Sequence, residues 1–501
     1  MAETMTDTGQ RIRPWAALSA LCLGFFMILV DATIVSVATP SIQRSLHASE
    51  NGVLWVTSAY LLAFAVPLLI TGRLGDRVGP KKLYLAGLAV FTISSLACGL
   101  TTTLTWLIVA RVVQGLGAAM VTPQTMAVIT RVFPAVKRGQ AMGVWGAVAG
   151  VATLVGPILG GVLVDFLGWE WIFFINVPVG VIGFALAVRL VPSLPTHSHS
   201  FDIAGVVLSA LGMFLLVFGI QEGQTYHWDG LVWALIVAGV AVLAAFVYWQ
   251  RHNTREPLVP LGLFRDRNFT LANVAITAVG FAIIAMAFPI MFYAQDVLGL
   301  SPLRAALLLV PMAVLSGVLA PFVGRLSDRV HPRYVAGVGL LCFPVSLIWL
   351  AAVMTPHQAI WELELPIALL GVANGFMWSP LSTTATRNLP MHHAGAGAGI
   401  YNTTRQIGAV LGSAAIAVLI QSRIGANLPQ LPAGSSGGFG RSSRLPEALL
   451  GGFSDAFAQS LLLPAAVMVL GLIAALCFAR PAHMRRTPAQ PAPEEQVRAA
   501  A

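Results

Sequence analysis

Fourteen apolar runs, most about 20 residues long, occupy this sequence near 15–37, 53–72, 83–102, 105–128, 141–162, 171–190, 203–220, 230–249, 271–293, 304–325, 334–354, 365–385, 399–421 and 460–479. A run of that length is what a helix needs to cross the hydrocarbon of a bilayer. Hydrophobic residues make up 57% of the chain and charged residues only 10%, against about 25% charged in soluble domains. No water-soluble core can bury that apolar surface, so a soluble globular fold is excluded. The 29 Lys and Arg residues test the count, with 22 on the side holding both termini, 5 on the other and 2, Arg111 and Arg405, inside helices. One span more or fewer would invert every later loop and erase this asymmetry, so both termini are expected in the cytoplasm.

The same asymmetry accounts for the net charge of +9 without nucleic acid. The four cysteines, Cys22, Cys98, Cys342 and Cys477, lie in or beside apolar runs with no paired spacing, which argues against a disulfide framework or a metal knuckle. His197 and His199 read as a solvated loop, and no Walker sequence or cofactor motif is present. The first span has no small-residue cleavage site before it and is expected to be retained.

Two stretches repeat at nearly one offset. GRLGDR at 72–77 returns as GRLSDR at 324–329, both expected in short inner loops, and GVWGAVAGVATLVG at 143–156 aligns with GIYNTTRQIGAVLG at 399–412. The expected build is two parallel six-helix halves, 15–190 and 271–479, with an inserted pair of helices at 203–249. Residues 1–14 and 480–501 are read as cytoplasmic tails, and 422–459, rich in Gly, Ser and Pro, as a flexible outer loop. Internal duplication is common in secondary transporters, whose substrate cavity lies between the halves.

Single residues carry the chemistry. Asp31 interrupts CLGFFMILVDATIVSVA, and Arg111 lies a few residues into the fourth span. Charge inside a membrane is costly and marks function by default. A cation beside a carboxylate favours its ionised form, and loss of that pairing favours protonation, so Asp31 with Arg111 is a candidate proton-coupling or cation site. The alternative is a structural Asp31 hydrated from outside. Asp76 and Asp328 are expected to cap helices across the inner side, with Gly72, Arg77 and Gly79 around the first; a purely topological loop is the alternative. Gly146, Gly150, Gly156, Gly160 and Gly161 flank Pro157, a pattern suited to a tight, bent helix against the other half. Gln114, Trp145, Asn374, Trp378, Tyr401, Asn402 and Arg405 are possible cavity-lining residues.

GRLGDRVGPKK (72–82) resembles the signature inner loop of the major facilitator superfamily, with Gly75 in place of Ala and Pro80 in place of the first basic residue. RVVQGLGAA (111–119) and GVWGAVAGVATLVGPILGG (143–161) are similar to its fourth-helix and antiporter motifs. DATIVSVATP (31–40) and WEWIFFINVPVG (169–180), where Glu170 replaces the usual Arg, resemble markers of its fourteen-helix drug:proton antiporter branch. The resemblance implies an all-α major facilitator fold. Ala-, Gly- and Arg-rich usage suggests a bacterial cytoplasmic membrane. With no convergent nucleophile, base or metal cluster at one depth, neither a cofactor nor a membrane enzyme, the rival reading, is expected. The resemblance further implies a monomeric, proton-coupled multidrug efflux antiporter, exporting hydrophobic or cationic molecules. A dedicated exporter of one endogenous metabolite or lipid is the alternative.

Overall fold

A computed structural model describes residues 4–5, 11–48, 50–134, 137–196, 202–223, 226, 228–253, 257–300, 302–390, 393–428 and 446–480. Among these, thirteen helices are long and apolar enough to cross a membrane, and a bent helix pair makes a fourteenth span. In chain order the spans are α1 (Pro14–Ser45), α2 (Glu50–Ala65 and Leu68–Val78), α3 (Pro80–Leu100), α4 (Leu104–Val132), α5 (Arg138–Phe166), α6 (Trp171–Leu190) and α7 (Ile203–Glu222). They continue as α8 (Gly230–His252), α9 (Arg267–Val297), α10 (Arg304–Arg329), α11 (Pro332–Val353), α12 (Ile360–Thr386), α13 (Ala394–Asn427) and α14 (Glu447–Leu476). Before α1, Thr4–Met5 pairs antiparallel with Arg11–Ile12.

Several boundaries differ from the sequence expectation. GRLGDR and GRLSDR are not loops. They form the last turns of α2 and α10, because a helix can run past the hydrocarbon into the headgroup region. The whole α2–α3 connection is Gly79, at φ +104°, with Pro80 opening α3. That left-handed conformation is open to glycine and strained for other residues. On the other side, α13 runs to Asn427 and α14 begins at Glu447, so the expected outer loop is trimmed at both ends. The polar residues of 447–460 hid this helix from a hydropathy reading, but Phe453 and Phe457 bury against the bundle and the Ser454 hydroxyl donates to the Met354 carbonyl (2.9 Å). Residues 429–445, the two loop histidines and nearly all of the C-terminal tail lie outside the described residues.

Packing reproduces the repeat. In the first half α1 packs on α5 and α6, α4 on α2 and α3, and α3 on α6. Shifting each number by eight gives the second half: α9 on α13 and α14, α12 on α10 and α11, α11 on α14. The contacts between halves are symmetric as well, with α2 against α13 answered by α10 against α5. The inserted helices α7 and α8 pack on each other, and α7 docks on α2 and α13. Met213 and Val217 carry that contact, close to Leu62, Ile407 and Val410.

Candidate functional site

Asp31 sits mid-way along α1, which extends eight residues beyond the expected end at 37. Its side chain is wholly buried, so it is not hydrated from outside in this structure. Oδ2 accepts from Arg111 Nη1 on α4 (2.6 Å). Oδ1 accepts from Gln114 Nε2 (3.0 Å) and from Asn176 Nδ2 on α6 (2.9 Å). Both amides also donate to Ser95 Oγ on α3, at 3.1 and 3.0 Å. Arg111 Nε donates to the Val56 carbonyl (3.1 Å), and the guanidinium lies 4.0 Å from the Tyr60 ring centroid, both on α2. Five helices of one half therefore converge on one carboxylate. Among the described residues, Arg111 Nη2 and the Tyr60 hydroxyl have no hydrogen-bond partner there.

Such a cluster is stable only if nearly every polar group is satisfied, since each lost partner in low dielectric leaves a costly charge or dipole. Sequence reasoning paired Asp31 with Arg111 and placed Gln114 in the cavity lining. It missed Ser95, Asn176 and Tyr60, although Asn176 stood out as a lone amide within WEWIFFINVPVG. The second half has no counterpart: the repeat offset of 256 carries Asp31 to Ala287 and Arg111 to Ile367.

The second feature lies at the end of the molecule where α2 turns into α3. Asp76 accepts from the backbone amides of Gly395 (3.0 Å) and Ala396 (2.9 Å), in the first turn of α13. Arg131, from the last turn of α4, pairs with the same carboxylate. Asp328 repeats this across the pseudo-two-fold, accepting from Gly139 (2.8 Å) and Gln140 (3.1 Å) in the first turn of α5, with Arg387 at 3.5 Å. Each half thus places a carboxylate on a helix N-terminus of the other, where free amides and the helix dipole favour negative charge. Glycines permit the approach. A Cβ on Gly72 would lie 2.6 Å from the Gly395 carbonyl oxygen, and one on Gly324 2.6 Å from that of Gly139. Arg77 points to the surface and Gly79 makes the turn.

The glycines of α5 divide their work. Gly146 and Gly150 face the other half, where a Cβ would meet Trp378 at 2.8 Å and Ser316 at 3.1 Å. Gly156 and Gly160, on either side of Pro157, pack instead on Thr33 and Ile34 of α1, within their own half, and Gly161 faces open space. The α5 glycines that meet the other half are therefore the early ones, while those beside Pro157 serve the α1 contact.

Trp145 is buried and stacks on Phe25, ring centroids 4.7 Å apart. Tyr401 is buried with its hydroxyl unpartnered among the described residues. Asn374 and Asn402 donate to carbonyls one turn back on their own helices, at 3.0 and 2.9 Å. Arg405 is half-buried on α13, and its Nε has no hydrogen-bond partner among the described residues. The structure brings none of these four second-half residues to Asp31.

A model of the Major Facilitator Superfamily matches residues 21–413. The chain belongs to the major facilitator superfamily. It is 54% identical over 466 residues to an uncharacterised transporter of that superfamily from Mycobacterium tuberculosis, covering 92% of this chain and 80% of the relative. It is 36% identical over 438 residues to the tetracenomycin C resistance and export protein of Streptomyces glaucescens, covering 85% and 81%. The human organic anion transporter MFSD10 shares the fold, with a TM-score of 0.65 at 13% identity over 92% of this chain and 99% of that one. This superfamily member is thus a multi-pass membrane protein of a family that carries small molecules.

Proposed function

We propose that this superfamily member is a proton-coupled antiporter that exports hydrophobic small molecules, cationic ones among them, across the cytoplasmic membrane. The observation that carries the reading is the fully buried Asp31, fastened by Arg111, Gln114 and Asn176. Ionised, it holds α1 to α4 and α6 through three donors. A proton arriving from outside occupies one carboxylate oxygen, cancels the attraction to Arg111 and loosens α1. Substrate displaced outward and proton admitted inward would then be alternative states of one bundle, the basis of exchange.

The latches supply the gate. With Asp76 and Asp328 both seated on opposing helix N-termini, the end carrying most of the Lys and Arg residues, taken as cytoplasmic, is closed. Opening it means withdrawing both carboxylates while α2 and α13, and α10 and α5, separate. Export is favoured by similarity to the tetracenomycin C export protein, which also supports the narrower reading of an exporter dedicated to one compound.

The test is efflux of a fluorescent lipophilic cation by everted vesicles under an imposed proton gradient. Wild type is expected to transport and Asp31→Asn to fail. Removing one partner of a buried ion pair destabilises by about 3–5 kcal/mol, so the variant Asp31→Asn with Arg111→Gln is measured beside it. That pair is expected to regain stability but not coupling. Coupled transport by the double variant would overturn the reading. Transport of a single compound by wild type, uncompeted by unrelated ones, would select the dedicated exporter.

A further inference from the structure

An open pocket of about 790 Å³ lies where α10 ends, α11 begins and the chain leaves α14. Arg329, His331, Arg333, Tyr334 and Arg480 line it with two apolar residues, and among the described residues no lining residue is acidic. The guanidinium of Arg333 is held over the Tyr334 ring, 4.5 Å from its centroid, and Arg333 Nε is buried without a hydrogen-bond partner among the described residues. His331 Nδ1 is engaged by the Arg333 amide (3.2 Å). Burial chiefly, and then the nearby Arg333 and Arg480, push the His331 pKa down. The nearest carboxylate in sequence, Asp328, is spent on the N-terminus of α5.

What lies beside this pocket indicates the ligand. Tyr334 is 55% exposed and begins a stripe on α11 that continues through Val338, Leu341, Val345 and Ile348, all exposed at helical spacing. Phe322 and Leu326 are exposed on α10, about two turns and one turn before Arg329. A basic pocket at the foot of lipid-facing apolar stripes matches an amphiphile with an anionic head and hydrocarbon tails.

We propose that this pocket binds the phosphate of an anionic glycerophospholipid from the adjoining leaflet, its acyl chains lying along α11. Arg333, fixed on Tyr334, and Arg480 take the phosphate oxygens. Because Arg329 directly follows Asp328, the bound lipid also steadies the α10–α11 corner from which one latch is presented.

Delipidated full-length protein in detergent is titrated with phosphatidylglycerol or phosphatidylcholine, and bound lipid is counted by native mass spectrometry, with inorganic phosphate as competitor. Wild type is expected to retain phosphatidylglycerol preferentially. Arg333→Gln and Arg480→Gln are each expected to weaken it about fivefold, the worth of one basic side chain at a membrane surface. Arg251→Gln, an exposed arginine outside the pocket, should leave it unchanged. Equal retention of both lipids, or unaltered binding in the two pocket variants, overturns the proposal. Displacement of the lipid by inorganic phosphate at matching concentration would make this a simple anion site and overturn the lipid assignment. Arg480 follows the last helix and has no packing role there, so its variant keeps the test open if Arg333→Gln misfolds.

Discussion

Asp31 shows how a membrane carboxylate is tolerated. Its charge is divided among three side-chain donors on two helices, two of which are themselves oriented by Ser95. Ser95→Ala removes a shared acceptor without touching the charge. It is expected to cost about 1 kcal/mol of stability, the ordinary worth of a buried hydrogen bond, and to shift the pH profile of efflux while leaving Asp31 in place. Thermal unfolding in detergent and efflux against external pH measure the two effects. Asp31 and Arg111 were visible in the sequence because charge interrupts hydropathy. Ser95 and Tyr60 were not, since a serine or tyrosine in an apolar run is ordinary until its neighbours are known.

A different carboxylate organises the inserted helices. Asp202 caps α7 through the Gly205 amide (2.9 Å) and also accepts from Trp249 Nε1 (2.9 Å), Gln250 Nε2 (2.7 Å) and the Leu258 amide (3.3 Å). Burial pushes its pKa up, but these donors outweigh burial and hold the carboxyl below its usual range. A depressed folded-state pKa means the stabilisation is complete above the unfolded value, about 3.9, and is lost as pH falls through the lower folded value. Asp202→Ala should therefore lower stability by about 1 kcal/mol at neutral pH, as for other N-caps, and its deficit should shrink in strong acid. Denaturation of both proteins across that range checks the sign. Helix α5 carries a second lesson. Its glycines formed one motif in sequence, yet Gly146 serves the other half and Gly156 and Gly160 serve α1. Spacing along a helix fixes a face, and which neighbour that face meets depends on the tilt of the whole element.

Across the two halves, the latches form one symmetric device. A Cβ at Gly72 or Gly324 would press on backbone atoms of the opposite half, which cannot rotate away. Gly72→Ala and Gly324→Ala are each expected to pry the same end open and to raise labelling of a cysteine placed between the halves. Asp76→Ala and Asp328→Ala should do so too, and the double variant more than either. Labelling unchanged by all four substitutions would show that the latches do not hold this end closed. The two-fold relation of these contacts, α2 with α13 and α10 with α5, was foreshadowed by the GRLGDR and GRLSDR repeat.

Hydropathy and basic-residue distribution were enough to establish the membrane and the fourteen spans, because lipid imposes length and polarity on each segment independently of its neighbours. Partnership is another matter. Asp31 meets Asn176 across 145 residues and Asp76 meets Ala396 across 320. Those pairings arise from how helices tilt and cross, which the order of residues along the chain does not state. Only the packed bundle decided that one half holds a buried charge cluster, that its repeat does not, and on which helix N-termini Asp76 and Asp328 seat.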